Sequence, residues 1–444
     1  MCQHDHTPAA PPATAVPRRG ILAGAAALAG ISVASLASQL GNAPAAQATD
    51  NPAHSSRPDR PASPPPVIIE GGTIVDPKTG HAVEDGVLVL EEGRVAAVGS
   101  RDQTRRAVAA LAGSAHTVDA SGRWVLPGLI DVHVHANALS DAATVLQGGA
   151  TSVRSGSTSF YQDVALAALP EWAAGASPRM SPAGLFISPE LGESLLADPD
   201  LGPLLSLQGG VTEPADLAYL ARVNLKRGAK VIKTRANPRA GLAEQDPREL
   251  VYDYEQLSAV VKAAGKAGVL CHAYSAEGID GAVRAGVRSI EHGVFVSEAT
   301  ISRMASRGTY FTPTLDAITG MAGSSDPILA ARGREYTPII KEAVRAAHEA
   351  GVTVVAGTDS FGSEVTPIGT EVRLLGEAGL SPLDALRAAT VNAAALLGWS
   401  GAGRLVRGSF ADAVVVNADP LDSAAALEQI SAVVAQGVLV RNDL

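Results

Sequence analysis

Cysteine is nearly absent from this chain, with Cys2 and Cys271 the only two among 444 residues. Cys2 stands ahead of a segment that reads as an export signal, so the mature protein is expected to keep Cys271 alone. That excludes an intramolecular disulfide even in an oxidising compartment, and the fold must hold through its core. Long basic runs are missing from the body of the chain, and the formal charge is −10. Nucleic acid is thereby excluded as the main partner. A strongly apolar span of about 20 residues, the length a membrane helix requires, is missing as well. The nearest approach, ILAGAAALAGISVASLA, is rich in Ala and Gly; Arg18, Arg19 and Gly20 precede it and Ala46-Gln47-Ala48 follows. Twin arginines, a weakly apolar stretch and a small-residue cleavage site read as a Tat signal peptide over residues 1–48 rather than a stable membrane anchor. The expected destination is periplasmic or extracellular. Residues 49–66, rich in Pro and Ser, read as a disordered linker.

Apolar residues are plentiful, at 46% against 18% charged, so the chain can bury a sizeable core. From residue 67, short Val/Ile runs divided by Gly and Asp-Pro turns read as strands of a small β-domain over 67–123, and the same texture returns over 403–444. Between them, apolar strands alternate with Ala/Leu-rich helices, the pattern of a βα barrel or a doubly wound sheet. Eight strands are expected, at 124–133, 151–155, about 180–187, 229–234, 268–273, 287–291, 309–315 and 352–358.

The few histidines are unevenly placed. In WVLPGLIDVHVHA, His133 and His135 close an apolar run. Side chains alternate along a strand, so the two imidazoles share a face and can converge on one ion. Alone, the pair is equally readable as two histidines in a polar turn. Lys233, His272, His292 and Asp359 then appear, each where an apolar strand runs out. In a βα barrel such ends form the face that carries active sites. The same alternation turns Cys271 away from His272, toward the helices, as a packing thiol. His81, His116 and His348 read as surface or packing residues, and His4, His6 and His54 have no assigned role.

The segments LPGLIDVHVHA, GATSVRSG, VIKT, HAYS, SIEHG, GTYFTPTL, GTDS, SPLDALRAATVNAAALLG and GRLVRGSFADAVVV occur in that order. With them, residues 67–440 resemble the amidohydrolase superfamily, in particular its imidazolonepropionase-related and prolidase-like members, which include ochratoxin-hydrolysing enzymes. The resemblance implies a (β/α)8 TIM barrel over 124–402, with a β-sandwich domain built from both ends of the mature chain. It implies two divalent ions, usually zinc: His133, His135 and Asp359 on one, His272 and His292 on the other, and Lys233 bridging them as a carboxylated lysine. The chemistry agrees, because a buried lysine beside two dications is driven neutral and can take up CO2. The other reading of Lys233 is a binder of the substrate carboxylate in a one-metal enzyme. Asp359 would also shuttle the proton of the attacking water to the leaving nitrogen, and Tyr274 would stabilise the oxyanion.

The implied reaction is hydrolysis of an amide in a small substrate, such as an N-acyl amino acid or dipeptide with a free carboxylate. Arg235 and Arg154 are the expected grips for that carboxylate, with Arg239 a weaker choice. Two loops depart from the resemblance. ISPELGESLLADPDLG stands where a Gly-His-containing substrate loop belongs, and TRANPR where a Gly-rich segment belongs. Hydrolysis of a cyclic amide, an ester or a phosphotriester on the same site is the alternative, followed by an exported binding protein without activity. Relatives are often homo-oligomers, so the same is expected here.

Overall fold

The computed structural model describes residues 63–362 and 364–444. The expected signal peptide, most of the linker and Cys2 lie outside the described residues. In chain order the strands are β1 (Val67–Val75), β2 (Ala82–Glu91), β3 (Arg94–Ser100), β4 (His116–Asp119), β5 (Trp124–Pro127), β6 (Leu129–His135), β7 (Ala150–Ser155) and β8 (Arg179–Ser181). They continue with β9 (Ile232–Arg235), β10 (Val269–Ala273), β11 (Ser289–His292), β12 (Tyr310–Thr312), β13 (Ser360–Phe361), β14 (Ala413–Val416), β15 (Ile430–Ala435) and β16 (Val438–Asn442).

Both ends of the described chain build one sheet, in the order β16-β15-β14-β5-β1-β2-β3, with β4 against β1. Alternation separates its two apolar faces. Ile69, Leu88 and Leu90 point to a core shared with Val125, Ala413 and Val415. Ile68, Val87 and Val89 point the other way and pack against Val108 of the helix Arg101–Ala110. That period of two is what VLVL in β2 encodes.

The run expected as one strand over 124–133 is divided. β5 belongs to the mixed sheet, and β6 opens a parallel one. The break falls at Gly128, whose N–H donates to the Asp412 carbonyl at 2.9 Å. A Cβ there would stand 2.1 Å from Thr151 Oγ1 and 2.9 Å from Asp412 Cβ, so only glycine fits.

The central chain forms two four-stranded parallel sheets, ordered β13-β6-β7-β8 and β12-β11-β10-β9. Their strands are buried on both faces, which explains near-continuous runs such as VLCHA. Single parallel bridges link Ile187 to Thr234 and Phe311 to Val354. The Val132 N–H donates to the Ala356 carbonyl at 3.0 Å. Residues 352–358 were expected as a full strand but are tied in only by such single contacts before β13 begins. Helices pack against these sheets, and the first turns of several are fixed by side-chain caps. Ser275 caps Ala276–Ala285, Ser297 caps Glu298–Arg307 and Asp326 caps Pro327–Glu349. Each such cap contributes about 1 kcal/mol and sets where the loop after a strand must end. Among the described residues no helix is long and apolar enough to cross a membrane.

Candidate metal centre

All seven residues of β6 are buried, and the pleat turns His133 and His135 to the same side. Asp359 meets them from the neighbouring segment, where its N–H donates to the His133 carbonyl at 2.7 Å. Its Oδ1 stands 3.4 Å from His133 Nε2 and 3.2 Å from His135 Nε2. One donor atom from each of the three residues lies within 4.8 Å of the others, a spacing that a single ion can span. Lys233, at 0% exposure, brings Nζ to 3.0 Å from His133 Nε2. The His292 ring lies 5.5 Å from that of His133 and 4.5 Å from that of His272. The structure thus gathers all six side chains from four parallel strands and the segment that follows Ala356.

Backbone geometry makes room for this. His292 and Asp359 hold φ of 70° and 57°, the left-handed region that ordinary residues seldom occupy. A Cβ at Gly156 would stand 2.5 Å from His135 Nε2 and 2.7 Å from His133 Cδ2. One at Gly357 would stand 2.8 Å from His133 Cβ. Glycine at both positions lets the backbone close on the imidazoles.

Each imidazole is held by its other nitrogen. His135 Nδ1 donates to the Ser157 carbonyl at 3.0 Å, and His272 Nε2 donates to the Pro238 carbonyl at 3.0 Å. A carbonyl can only accept, so these contacts fix the tautomers and leave Nε2 of His135 and Nδ1 of His272 as the lone-pair nitrogens. His133 Nδ1 stands 2.7 Å from Glu291 Oε2, and His292 Nδ1 stands 2.7 Å from Thr314 Oγ1. Neutral, oriented imidazoles backed by a carbonyl or carboxylate are what divalent metals require. The donor set therefore fits a divalent ion.

Below the histidines lies a buried charge pair. Arg154 donates to both Glu291 oxygens at 2.9 and 3.0 Å, to Ser289 Oγ at 2.9 Å and to the Val132 carbonyl at 2.6 Å. Burial works against the Glu291 charge, but the Arg154 guanidinium and the His133 ring outweigh it and hold the carboxyl well below the usual range. Asp131 accepts from the His133 N–H at 3.0 Å and from the Thr358 hydroxyl at 2.7 Å. Burial pushes its carboxyl up to about 6, against those hydrogen bonds.

This arrangement revises one expectation. Arg154, only 1% exposed, does not sit at the mouth of the site to grip a carboxylate. Its donors are spent on Glu291, Ser289 and Val132. Arg235 is placed differently: it pairs with His272 across β9 and β10 and lies over the Phe186 ring at 4.8 Å. The Tyr274 ring stacks on His292 at 4.9 Å and meets His272 edge-on at 5.0 Å. Arg239 is half-buried in the loop after β9. Cys271 is fully buried, and burial pushes its thiol up to about 12.

Four residues went unread in the sequence: Glu291, Asp131, Thr314 and Asn237. Asn237 Oδ1 accepts from the N–H groups of Tyr274 and Ser275 at 2.8 and 3.1 Å. Its amide donates to the Glu249 carbonyl at 2.6 Å. It thereby ties the TRANPR loop to the segment that carries Tyr274. The available signal was a charged or amide residue inside an otherwise apolar stretch, as in SIEH and LIDV.

Known proteins share this architecture. Ochratoxinase from Aspergillus niger is 25% identical over 412 residues, a match covering 82% of this chain and 84% of that enzyme. A putative prolidase from Bifidobacterium longum superposes with a TM-score of 0.71 at 29% identity, over 84% of this chain and 94% of its own. A Xaa-Pro dipeptidase crystallised with methionine in its active site gives a TM-score of 0.72 at 24% identity, over 85% of this chain and 100% of its own, a likeness of fold. Residues 124–440 match the amidohydrolase family over most of the chain's length, and the chain belongs to that family of hydrolases.

Proposed function

We infer that this chain is a binuclear metal-dependent amidohydrolase that cleaves an amide bond in a small substrate bearing a free carboxylate. The observation that carries this reading is Lys233 Nζ, wholly buried and 3.0 Å from a histidine that also faces Asp359. A protonated ammonium is a poor neighbour for a cation. A neutral amine can instead attack CO2: the N–C bond forms, one N–H proton leaves to solvent, and an anionic carbamate with two oxygens results. His133, His135 and Asp359 would hold one ion, His272 and His292 the other, with Lys233 between them. Bound divalent ions, zinc first among them, would acidify a water and polarise the scissile carbonyl.

The chain's own residues do the rest. Asp359 accepts a proton at its carboxylate and returns it to the departing nitrogen. Tyr274, held by its stacking on His292, offers a hydroxyl to the carbonyl oxygen as charge develops there. Arg235, 7% exposed and beside His272 in the sheet, reads the substrate carboxylate. The two parallel sheets are read as halves of one (β/α)8 barrel, a closure supported by the Ile187–Thr234 and Phe311–Val354 bridges and the Val132–Ala356 hydrogen bond. The relatives named above support an N-acyl amino acid or dipeptide as substrate.

The test pairs N-acyl amino acids with their carboxamides, against wild type and Arg235→Ala. Wild type should prefer the acid, and the variant should lose about 10- to 100-fold in kcat/KM on the acid alone, the worth of a charged hydrogen bond. Equal hydrolysis of acid and amide forms by wild type would show that no carboxylate is read.

A further inference from the structure

We propose a second ligand site, at the far end of the segment that carries Asp359, for a small carboxylic acid with an aromatic or branched apolar body. A cleft of about 840 Å³ opens where Val352, Thr353 and Val354 begin that segment. Its volume lies within the range of small-molecule pockets. Six residues lie between Val352 and Asp359, and seven steps at strand spacing span roughly 20 Å. An occupant is therefore remote from the metal centre, and the proposal does not rest on the chemistry assigned there.

The lining sets the ligand class. Leu380, Val391 and the half-buried Trp399 give an apolar wall. Three cations line the cleft, and two of them are already neutralised. Arg404 makes a two-pronged contact with Asp76 at 2.9 and 2.7 Å. Arg387 pairs with Asp384 at 2.8 Å. Lys78 is the third, and among the described residues no carboxylate pairs with its ammonium. The lysine is presented by a built turn: its N–H donates to Asp76 Oδ1 at 3.2 Å, and its carbonyl accepts from Arg387 at 2.9 Å. Arg387 also donates to the Pro77 carbonyl at 3.2 Å. One uncompensated cation on a fixed backbone, beside an apolar and aromatic wall, selects a monoanion with an apolar body over a neutral or a multiply charged compound.

The experiment is a titration of the whole protein with 3-phenylpropionate, isovalerate and the uncharged 3-phenylpropionamide. Binding is followed by tryptophan emission and by calorimetry, in wild type, Lys78→Glu and Trp399→Phe. At least one acid should give saturable binding, with an emission change that Trp399→Phe removes. Lys78→Glu, an exposed substitution outside the metal centre, should weaken that binding about tenfold or more, and the amide should bind correspondingly worse than its acid. Calorimetry on Lys78→Glu reads the site independently of the tryptophan variant. The proposal is overturned if neither acid binds saturably, if acid and amide bind alike, or if Lys78→Glu leaves the affinity unchanged.

Discussion

Glu291 Oε2 stands 2.7 Å from His133 Nδ1, and neither side chain is exposed to solvent. Arg154 grips the same carboxylate from below, so an imidazole of the candidate metal centre is oriented by a buried ion pair. A backing carboxylate of this kind is worth about 10- to 100-fold in metal affinity. Breaking a buried pair on one side costs about 3–5 kcal/mol, because the remaining charge is stranded. Glu291→Ala should therefore lose both metal affinity and thermal stability. Replacing Arg154 and Glu291 together by methionine should recover much of the stability but not the affinity. Thermal unfolding beside a zinc titration checks this. A double variant as unstable as Glu291→Ala would mean that the stranded charge is not the cause.

Gly156 is predicted to be intolerant of a methyl group. Its Cβ would stand 2.5 Å from His135 Nε2, so Gly156→Ala must push that ring out of line. Metal affinity should fall at least about tenfold, the tenfold step being about 1.4 kcal/mol. Gly202→Ala is the control, since nothing lies within 4 Å of a Cβ there. Equal metal affinity in the two variants would contradict the geometry.

The sequence exposed some of these relationships and hid others for a physical reason. His133, His135, Lys233, His272, His292 and Asp359 are legible because each closes an apolar run in the sequence, and parallel strands with the segments that follow them bring such positions together. The Arg154–Glu291 pair was hidden because its members lie 137 positions apart on β7 and β11. Read singly, an arginine near a strand end suggests a substrate grip. Read as two opposite charges inside buried strands, SVRS and SIEH suggest each other. The split of the 124–133 run at Gly128 escaped the apolar pattern, because both halves are equally apolar and only the approach of Thr151 and Asp412 separates them.

Cys271 should be chemically silent in the folded protein. The thiol is buried and pushed up to about 12, so almost no thiolate forms at neutral pH. Alkylation by iodoacetamide, followed by mass spectrometry, should modify Cys271 only after denaturation. Rapid labelling of native protein would show that the β10 face packed by this residue opens readily.

Asp359→Asn separates ligation from proton transfer. The amide keeps an oxygen near His133 and His135 but cannot carry the proton. Metal content should be largely retained while kcat falls by at least about 10²-fold, the usual worth of a positioned acid or base. Near wild-type kcat would remove Asp359 from the chemistry.

Lys233 decides whether the centre is binuclear. If its Nζ becomes the carbamate between the two ions, the purified wild-type protein should carry two divalent ions per chain by elemental analysis. Lys233→Ala should carry far less metal, with content and activity partly restored by added short-chain carboxylates that replace the missing bridge. Full occupancy of both ions in unsupplemented Lys233→Ala would mean that no carbamate at Lys233 bridges them.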